Sequence, residues 1–200
     1  MQHKMLAGLV VTLLLMALPV SAAIAEGGPT EVAFSATADL QLTSTVATQP
    51  TPAGIITAQE ALSGPITSSD WDALSGAYMS TNHNSRVALS GYAEGLTAGT
   101  VSGTLWGYLS VSSPQGGQTN GRFDATITGT WALVGHTADG QPIISANIHN
   151  VGSWLVGAGS GVFAGAPASG DWSGDFSGIL GVTAQYGGLS GQATFTGTHK

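Results

Sequence analysis

Hydrophobic and polar residues alternate along much of the chain with a period of two, which is typical of a β-strand with one buried face. From Glu31 to Leu42 every second residue is apolar, and Ser, Thr, Asp and Gln lie between them. The alternation returns from Val101 to Val111 and again from Phe123 to Leu133. Because the intervening segment, Pro114 to Gly121, is rich in Gly, Gln and Asn, the two runs predict a long hairpin.

Shorter alternating runs predict further strands in the second half of the chain. They cover Ile144–Ile148, Ser153–Val156, Gly161–Ala164, Gly170–Leu180, Val182–Tyr186 and Gln192–Thr198. Glycines recur among these strands at irregular spacing, which indicates bends and bulges of one curved sheet and not a repeat architecture. The pattern therefore predicts an all-β fold, either a single antiparallel β-barrel of about eight strands or a sandwich.

The segment from Val46 to Asn84 lacks this clear alternation. Pro50 and Pro52 cannot occupy a central strand, because proline has no N–H for the ladder. Thr57 with Glu60 has the spacing of a helix capping box, and Ser69 with Asp72 repeats it. We therefore expect a long excursion over the surface, near residues 46–84, that carries one or two short helical turns.

The first residues have the pattern of a signal peptide. Lys4 precedes an apolar run from Met5 to Val20, which is followed by small residues that suit cleavage after Ala25 or after Ala22. The alternative is an uncleaved membrane anchor, although the run is short for a bilayer span. We expect a signal peptide over residues 1–25 and a single β domain over residues 26–200, with no membrane span left after cleavage, in a secreted or periplasmic protein.

Composition narrows the possible functions. The chain has 200 residues, no cysteine and a net charge of −7, with Lys and Arg together numbering 4 against 11 Asp and Glu. Such a balance is the opposite of a nucleic-acid-binding surface, and the absence of cysteine excludes disulfides and thiolate chemistry. Only 8% of residues are charged while 42% are hydrophobic, which is atypical of a disordered chain.

Candidate chemistry is sparse in this sequence. His83, His136, His149 and His199 form no close ligand pair, so we expect solvated histidines and neither a metal site nor a cofactor. Carboxylates flank Trp71, and Asp171 and Asp175 lie near Trp172, but residues so close in sequence usually lie in turns or caps and not in a glycosidase pair. No catalytic residue can be assigned from these patterns.

Two aromatic residues offer a candidate binding surface. Trp106 and Tyr108 share the polar side of the predicted hairpin, opposite Leu105 and Leu109. An exposed pair of rings can contact sugar faces or an apolar partner. The alternative is that this side is covered, by the segment from Val46 to Asn84 or by another subunit of a homo-oligomer.

One stretch resembles a known family. From Gly157 the chain reads Gly-Ala-Gly-Ser-Gly-Val-Phe-Ala-Gly-Ala-Pro-Ala-Ser-Gly, followed by Asp-Trp-Ser-Gly-Asp-Phe-Ser-Gly, which ends at Gly178. This resembles the glycine-flanked strand turn of allene oxide cyclase and dirigent β-barrels, over at most the C-terminal half of the chain. The resemblance implies a small eight-stranded barrel with an apolar lumen, often trimeric, and it supplies no catalytic residue for this sequence.

Three functions follow as expectations. The first is a secreted, non-enzymatic barrel that binds a small apolar ligand, a glycan or a cell surface, with Trp106, Tyr108, Phe123, Ile127 and Trp131 as ligand-binding residues. The second is a dirigent-like or cyclase-like isomerase, which orients a reactive intermediate in a dry pocket containing one buried acid. The third is a small outer-membrane barrel.

Overall fold

Residues 30–180 and 188–200 are described by the computed structural model, and they form a closed antiparallel β-barrel. In this part of the chain there are eight strands: β1 (Val32–Ala47), β2 (Ile55–Ser68), β3 (Ala77–Leu89), β4 (Ala98–Ser112), β5 (Gln118–His136), β6 (Pro142–Val156), β7 (Ala168–Leu180) and β8 (Ser190–His199). Single 3-10 turns at Asp72–Leu74 and Gly161–Phe163 are the remaining regular elements of the described residues. The prediction of an all-β barrel is confirmed, and the sandwich alternative is excluded by closure.

Each strand pairs with the next one along the chain, and the last strand returns to the first. β8 pairs with β1 from Val32 opposite His199 to Gln41 opposite Ser190. This ladder removes both free edges of the sheet, so the barrel exposes no row of unpaired backbone groups of the kind that promotes aggregation.

Alternation along the strands separates the interior from the outer face. In β1, Phe34, Ala36, Ala38 and Leu40 are buried, and the residues between them are exposed. The other strands contribute side chains such as Ile127 to the same interior, which forms one apolar cluster. The outward positions are mostly Thr, Ser, Asn and Gln, so the lumen is the hydrophobic core of the protein.

Aromatic rings close one end of the lumen. Trp71, in the loop between β2 and β3, stacks on His199 with ring centroids 4.3 Å apart and an interplanar angle of 4°. The same indole meets Phe34 at 4.9 Å and Phe163 at 5.8 Å, both edge to face. The two 3-10 turns also place buried residues at this end. Packing of the rings closes the lumen there.

The expected excursion over residues 46–84 is wrong. That segment contains all of β2 and the first part of β3, and Thr57 and Glu60 lie within a strand and not at a helix N-terminus. Pro65 lies in β2 with its ring facing outward. The β1–β2 ladder has no pairs between Ala38 opposite Ile66 and Gln41 opposite Ser63, so the missing N–H of the proline breaks no pair with β1. One helical feature survives, the 3-10 turn Asp72–Leu74.

The predictions for other segments have different outcomes. The predicted strand Gly161–Ala164 is wrong, because residues Gly161–Phe163 form a 3-10 turn that buries Phe163 at the aromatic end. The predicted strand Val182–Tyr186 lies outside the described residues, as does the predicted signal peptide. The β4–β5 hairpin is confirmed, with pairs from Ala98 opposite Ala132 to Ser112 opposite Gln118.

Close backbone approach explains glycine inside these strands. A Cβ atom placed on Gly64 of β2 would lie 1.7 Å from the carbonyl oxygen of Asp39 in β1. On Gly121 of β5 it would lie 1.9 Å from the carbonyl oxygen of Leu155 in β6. Neither neighbour can move without distorting a ladder, so these positions accept no side chain.

We predict that Gly64→Ala lowers the free energy of unfolding by about 3 kcal/mol, because the added methyl group collides with the backbone of β1. The matched control is Gly135→Ala in β5, where the nearest atom to the new Cβ is a side-chain carbon at 4.0 Å. Urea unfolding followed by tryptophan fluorescence measures both variants. Equal stability of the two would show that the approach of β1 to Gly64 does not constrain the sheet.

Candidate functional site

Four polar side chains interrupt the apolar interior on one side of the barrel. Glu60 faces inward from β2, and Thr81, His83 and Ser85 face inward at successive alternate positions of β3. We call these four residues the polar wall. Their neighbours on the same inner face, such as Leu62 and Met79, are buried hydrophobic residues, so the polar wall is an isolated feature of the core.

The centre of the polar wall is a carboxylate–imidazole pair. Glu60 and His83 are directly opposite each other in the β2–β3 ladder, and Nε2 of His83 lies 3.2 Å from Oε2 of Glu60. Both residues are almost fully buried, with 7% and 6% of their surfaces exposed. An unpaired buried carboxylate would be costly, and the imidazole opposite it supplies the partner that the apolar surroundings lack.

Hydroxyl groups complete this network. Ser85 donates from Oγ to Oε2 of Glu60 at 3.4 Å. Thr81 Oγ1 lies 3.4 Å from Nδ1 of His83 and accepts from the backbone N–H of Leu62 at 3.2 Å. Both ring nitrogens of His83 therefore have a partner, and the ring orientation is set by contacts on both sides.

A further polar side chain faces the lumen from the opposite strand. Asn150 belongs to β6, which is four strands from β2 in either direction around the barrel. The residue is only 3% exposed, and its Oδ1 has no hydrogen-bond partner among the described residues. Because an unpaired buried amide oxygen costs roughly 1–3 kcal/mol, a hydrogen-bond donor in the lumen, such as water or a ligand, would stabilise this position.

A cavity separates Asn150 from the polar wall. It has a volume of about 50 Å³, and both Asn150 and all four residues of the polar wall line it. Most of the remaining lining is aliphatic or aromatic, including Phe123, Trp172 and Phe195. Space of this size admits a few water molecules or a slender small molecule.

Aromatic rings form a continuous side of this cavity. His83 meets Phe123 edge to face with centroids 5.9 Å apart, and Phe123 meets Trp172 at 5.7 Å. Trp172 stacks on Phe195 at 6.1 Å, and its Nε1 donates to the carbonyl oxygen of Asp124. These contacts fix the ring positions, so this part of the lining is rigid.

The residues predicted for ligand binding separate into three groups. Phe123 and Ile127 line the cavity. Trp131 is buried but lies away from the cavity lining, where its Nε1 donates to the carbonyl oxygen of Ser90 at 3.1 Å. Trp106 and Tyr108 face outward from β4, and their role in binding stays a prediction.

The expectation that the histidines are solvated is wrong for His83, which is buried against Glu60. His136 and His149 are exposed, and Nδ1 of His149 lies 2.8 Å from Oδ1 of Asp175 on the outer face. Within the described residues no group of three His, Cys, Asp or Glu side chains is arranged to hold a metal ion. The carboxylates of Asp171 and Asp175 lie on the outer surface while Trp172 faces inward, so they do not form a common site with it.

The polar wall was not found from the sequence because polar residues occupy both faces of the middle of β3. Between Tyr78 and Arg86 the inward residues are Met79, Thr81, His83 and Ser85, and the outward ones are Ser80, Asn82 and Asn84. This removes the apolar–polar contrast on which recognition of a strand depends. Glu60 and His83 could have been connected only through the register of β2 and β3.

We predict that the Glu60–His83 pair is not a source of stability. His83→Leu leaves the buried carboxylate of Glu60 without its partner and should lower the free energy of unfolding by about 3–5 kcal/mol. The double variant Glu60→Met with His83→Leu removes both polar groups and should be at least as stable as the natural protein. Urea unfolding of both single variants and the double variant tests this, and additive losses in the double variant would contradict it.

Comparison of the chain with protein-family models, with curated proteins and with solved structures finds no match. The resemblance to allene oxide cyclase and dirigent barrels accordingly stays a prediction. In the part of the chain that the structure describes, no helix has the length and hydrophobicity needed to cross a membrane.

Proposed function

We propose that the protein is a binding protein for a small, mostly apolar molecule with a polar head group, which it holds in the lumen of the barrel. The observation that carries this proposal is that Oδ1 of Asn150 has no hydrogen-bond partner among the described residues and is buried at a cavity that Glu60 and His83 also line. A ligand that donates a hydrogen bond to Asn150 would satisfy this oxygen while its apolar part contacts the rest of the lining.

The balance of the cavity lining supports this ligand class. Aliphatic residues such as Leu105 and Ile148 and the rings of Phe123 and Trp172 form most of the surface, and the polar groups are few and held in place. Pockets for small molecules commonly combine a mainly apolar lining with a few placed polar groups. The outer face of the barrel is polar and the lumen apolar, which is the reverse of a transmembrane barrel, and this favours lumen binding over the outer-membrane alternative.

A ligand panel tests the proposal. Linear alcohols, ketones and carboxylic acids of three to five carbons, with alkanes of equal length as controls, are each added to the protein at increasing concentration. A compound that fills the cavity should raise the melting temperature, because binding at 100 times its Kd contributes about 2.7 kcal/mol to stability. We expect polar-headed compounds to stabilise more than the matching alkanes. No stabilisation by any compound would overturn the proposal.

A variant separates the role of Asn150 from that of the cavity. Asn150→Leu removes the unpaired amide and should raise the stability of the empty protein by about 1–3 kcal/mol. The same change should weaken the best polar-headed ligand roughly tenfold, since a hydrogen bond is lost. Asn147→Leu, on the exposed face of the same strand, is the control. Unchanged affinity in Asn150→Leu would exclude Asn150 from the binding site.

A second candidate function is an isomerase of the orienting kind, and the Glu60–His83 pair at the cavity favours it. A carboxylate held beside an imidazole can remove a proton from a carbon next to a carbonyl group and return it at another position. The substrate loses one proton and gains one, and the proton held by Glu60 can exchange with solvent, so the reaction needs no oxidant or further reactant. The apolar lining would keep bulk water away from such an intermediate.

Deuterium exchange distinguishes the binding protein from the isomerase. The ketone that binds best is incubated with the protein in D₂O, and NMR follows deuterium incorporation at the carbon next to the carbonyl. An isomerase should accelerate incorporation at least a hundredfold over buffer, and Glu60→Gln should abolish the acceleration while the ketone still stabilises the variant. Exchange at the rate of buffer, with binding retained, would leave the binding protein as the function.

A further inference from the structure

A second site is built on the outer face of the barrel, separate from the lumen. Trp106 and Tyr108 occupy successive outward positions of β4, with 49% and 73% of their surfaces exposed. Strand geometry places their Cα atoms about 7 Å apart, and both rings lie on the same side of the sheet. We call this pair the β4 aromatic patch.

Both arginines of the chain flank this patch. Arg122 of β5 is directly opposite Tyr108, and Asn84 of β3 is directly opposite Trp106. Arg86 lies two residues beyond Asn84, so it faces outward beside the same strand. The salt bridges found within the described residues both involve histidine, and neither guanidinium lies within 4 Å of a carboxylate there.

The charge of this face differs from that of the whole chain. The chain has a net charge of −7, yet the outward positions of β2 to β5 carry a single carboxylate, Asp124, which accepts a hydrogen bond from Ser153. Most of the other acids lie on β1, on β7 and in loops. Asp124 is directly opposite Trp106 and lines the same groove as Arg122, so the two arginines exceed the carboxylates of this face by one positive charge, on the side of Arg86. This local excess on an acidic protein would attract an anionic ligand.

Two grooves lie on either side of Trp106. One, of about 360 Å³, is lined by residues that include Tyr108, Arg122 and Asp124. The other, of about 430 Å³, is lined by residues that include Asn84 and Arg86. Each groove thus has one arginine, and Trp106 lines both, so an extended ligand could cross the indole and contact a guanidinium on each side.

We propose that this outer face binds an acidic polysaccharide whose sugar units carry carboxylate groups. Aromatic rings offer an apolar surface with a polar edge, which suits the apolar faces of sugar rings. A guanidinium matches a carboxylate with two parallel hydrogen bonds. The hydroxyl and amide groups beside the rings, on Thr57, Gln59, Asn84 and Ser153, can exchange hydrogen bonds with sugar hydroxyls.

A carboxylated sugar chain fits this face better than the other possible occupants. A purely apolar partner would bury two arginines without compensation, which is unfavourable. A symmetric contact between two copies would bring equivalent arginines toward the same axis, so like charges would approach each other. A single nucleic-acid strand would meet the same arginines through its phosphates, so the test below includes it as a competing occupant.

Affinity electrophoresis in gels containing polygalacturonate tests the proposal, with dextran as the neutral polysaccharide and poly-L-glutamate and oligo(dT) as polyanions without sugar carboxylates. We expect retardation by polygalacturonate alone. The variants Trp106→Ala and Arg122→Gln should each weaken it at least fivefold, and 0.5 M NaCl should weaken it further because salt screens exposed charges.

Matched controls separate a site from a general surface effect. Tyr78→Ala removes an exposed aromatic residue elsewhere on β3, and Lys200→Gln removes an exposed positive charge at the end of the chain. Both should be retarded like the natural protein. Equal retardation of all variants, equal binding to poly-L-glutamate or oligo(dT), or no binding to polygalacturonate would overturn the proposal.

Self-association is measured in parallel by light scattering after size-exclusion chromatography. A dimer that Trp106→Ala converts to a monomer would assign this face to a second copy of the chain and overturn the proposal. These variants leave the lumen residues unchanged. If the outer face does not bind polygalacturonate, the proposed binding in the lumen is therefore unaffected and is tested separately.

Discussion

Closure of the sheet is the constraint on which the rest of this structure depends. The β1–β8 ladder joins the two ends of the sheet, so each strand is paired on both sides and the number of strands is set. A barrel of eight strands encloses a space that side chains can nearly fill. Every inward residue must then fit that space or border what remains of it. The small cavity is therefore the remainder of a packed core and not an open channel.

Closure also determines the surroundings of the polar residues inside the barrel. In an open sheet, Glu60 and His83 could face water, and their contact would be an ordinary surface pair. In the closed barrel both side chains lie within the apolar interior, where hydrophobic replacements of similar size would serve stability at least as well. Asn150 adds to the cost, because its amide oxygen has no partner in the part of the chain that the structure describes. Such a combination at one cavity is difficult to explain by folding alone, and it is the physical reason to place function in the lumen.

The sequence predicts the parts of the fold in which only one face of a strand is polar. β1, β4 and β5 show clean alternation, and their residues lie in strands as expected. β2 and β3 were mistaken for a surface excursion, since Pro65 interrupts one and polar side chains occupy both faces of the other. The inward polar residues that remove the alternation, above all His83, also form the candidate site. Alternation of apolar and polar residues does not predict a strand whose inward side chains are polar. Those side chains are held by contacts with other strands, which are distant in the sequence and do not contribute to the alternation.

The barrel separates the two binding sites that we propose, although their residues are adjacent in the sequence. Gly107 and Phe123 are opposite each other in the β4–β5 ladder, and so are Tyr108 and Arg122. The pleat turns Phe123 toward the lumen and Arg122 toward the outer face, so neighbouring residues of one strand contribute to different sites. The ligand that we propose for the lumen would be selected by shape and a few hydrogen bonds, whereas the exposed rings and charges of the outer face suit the long hydrated chain that we propose there. If both proposals hold, a substitution on one side of this hairpin would alter one kind of binding while the ladder keeps the other side unchanged.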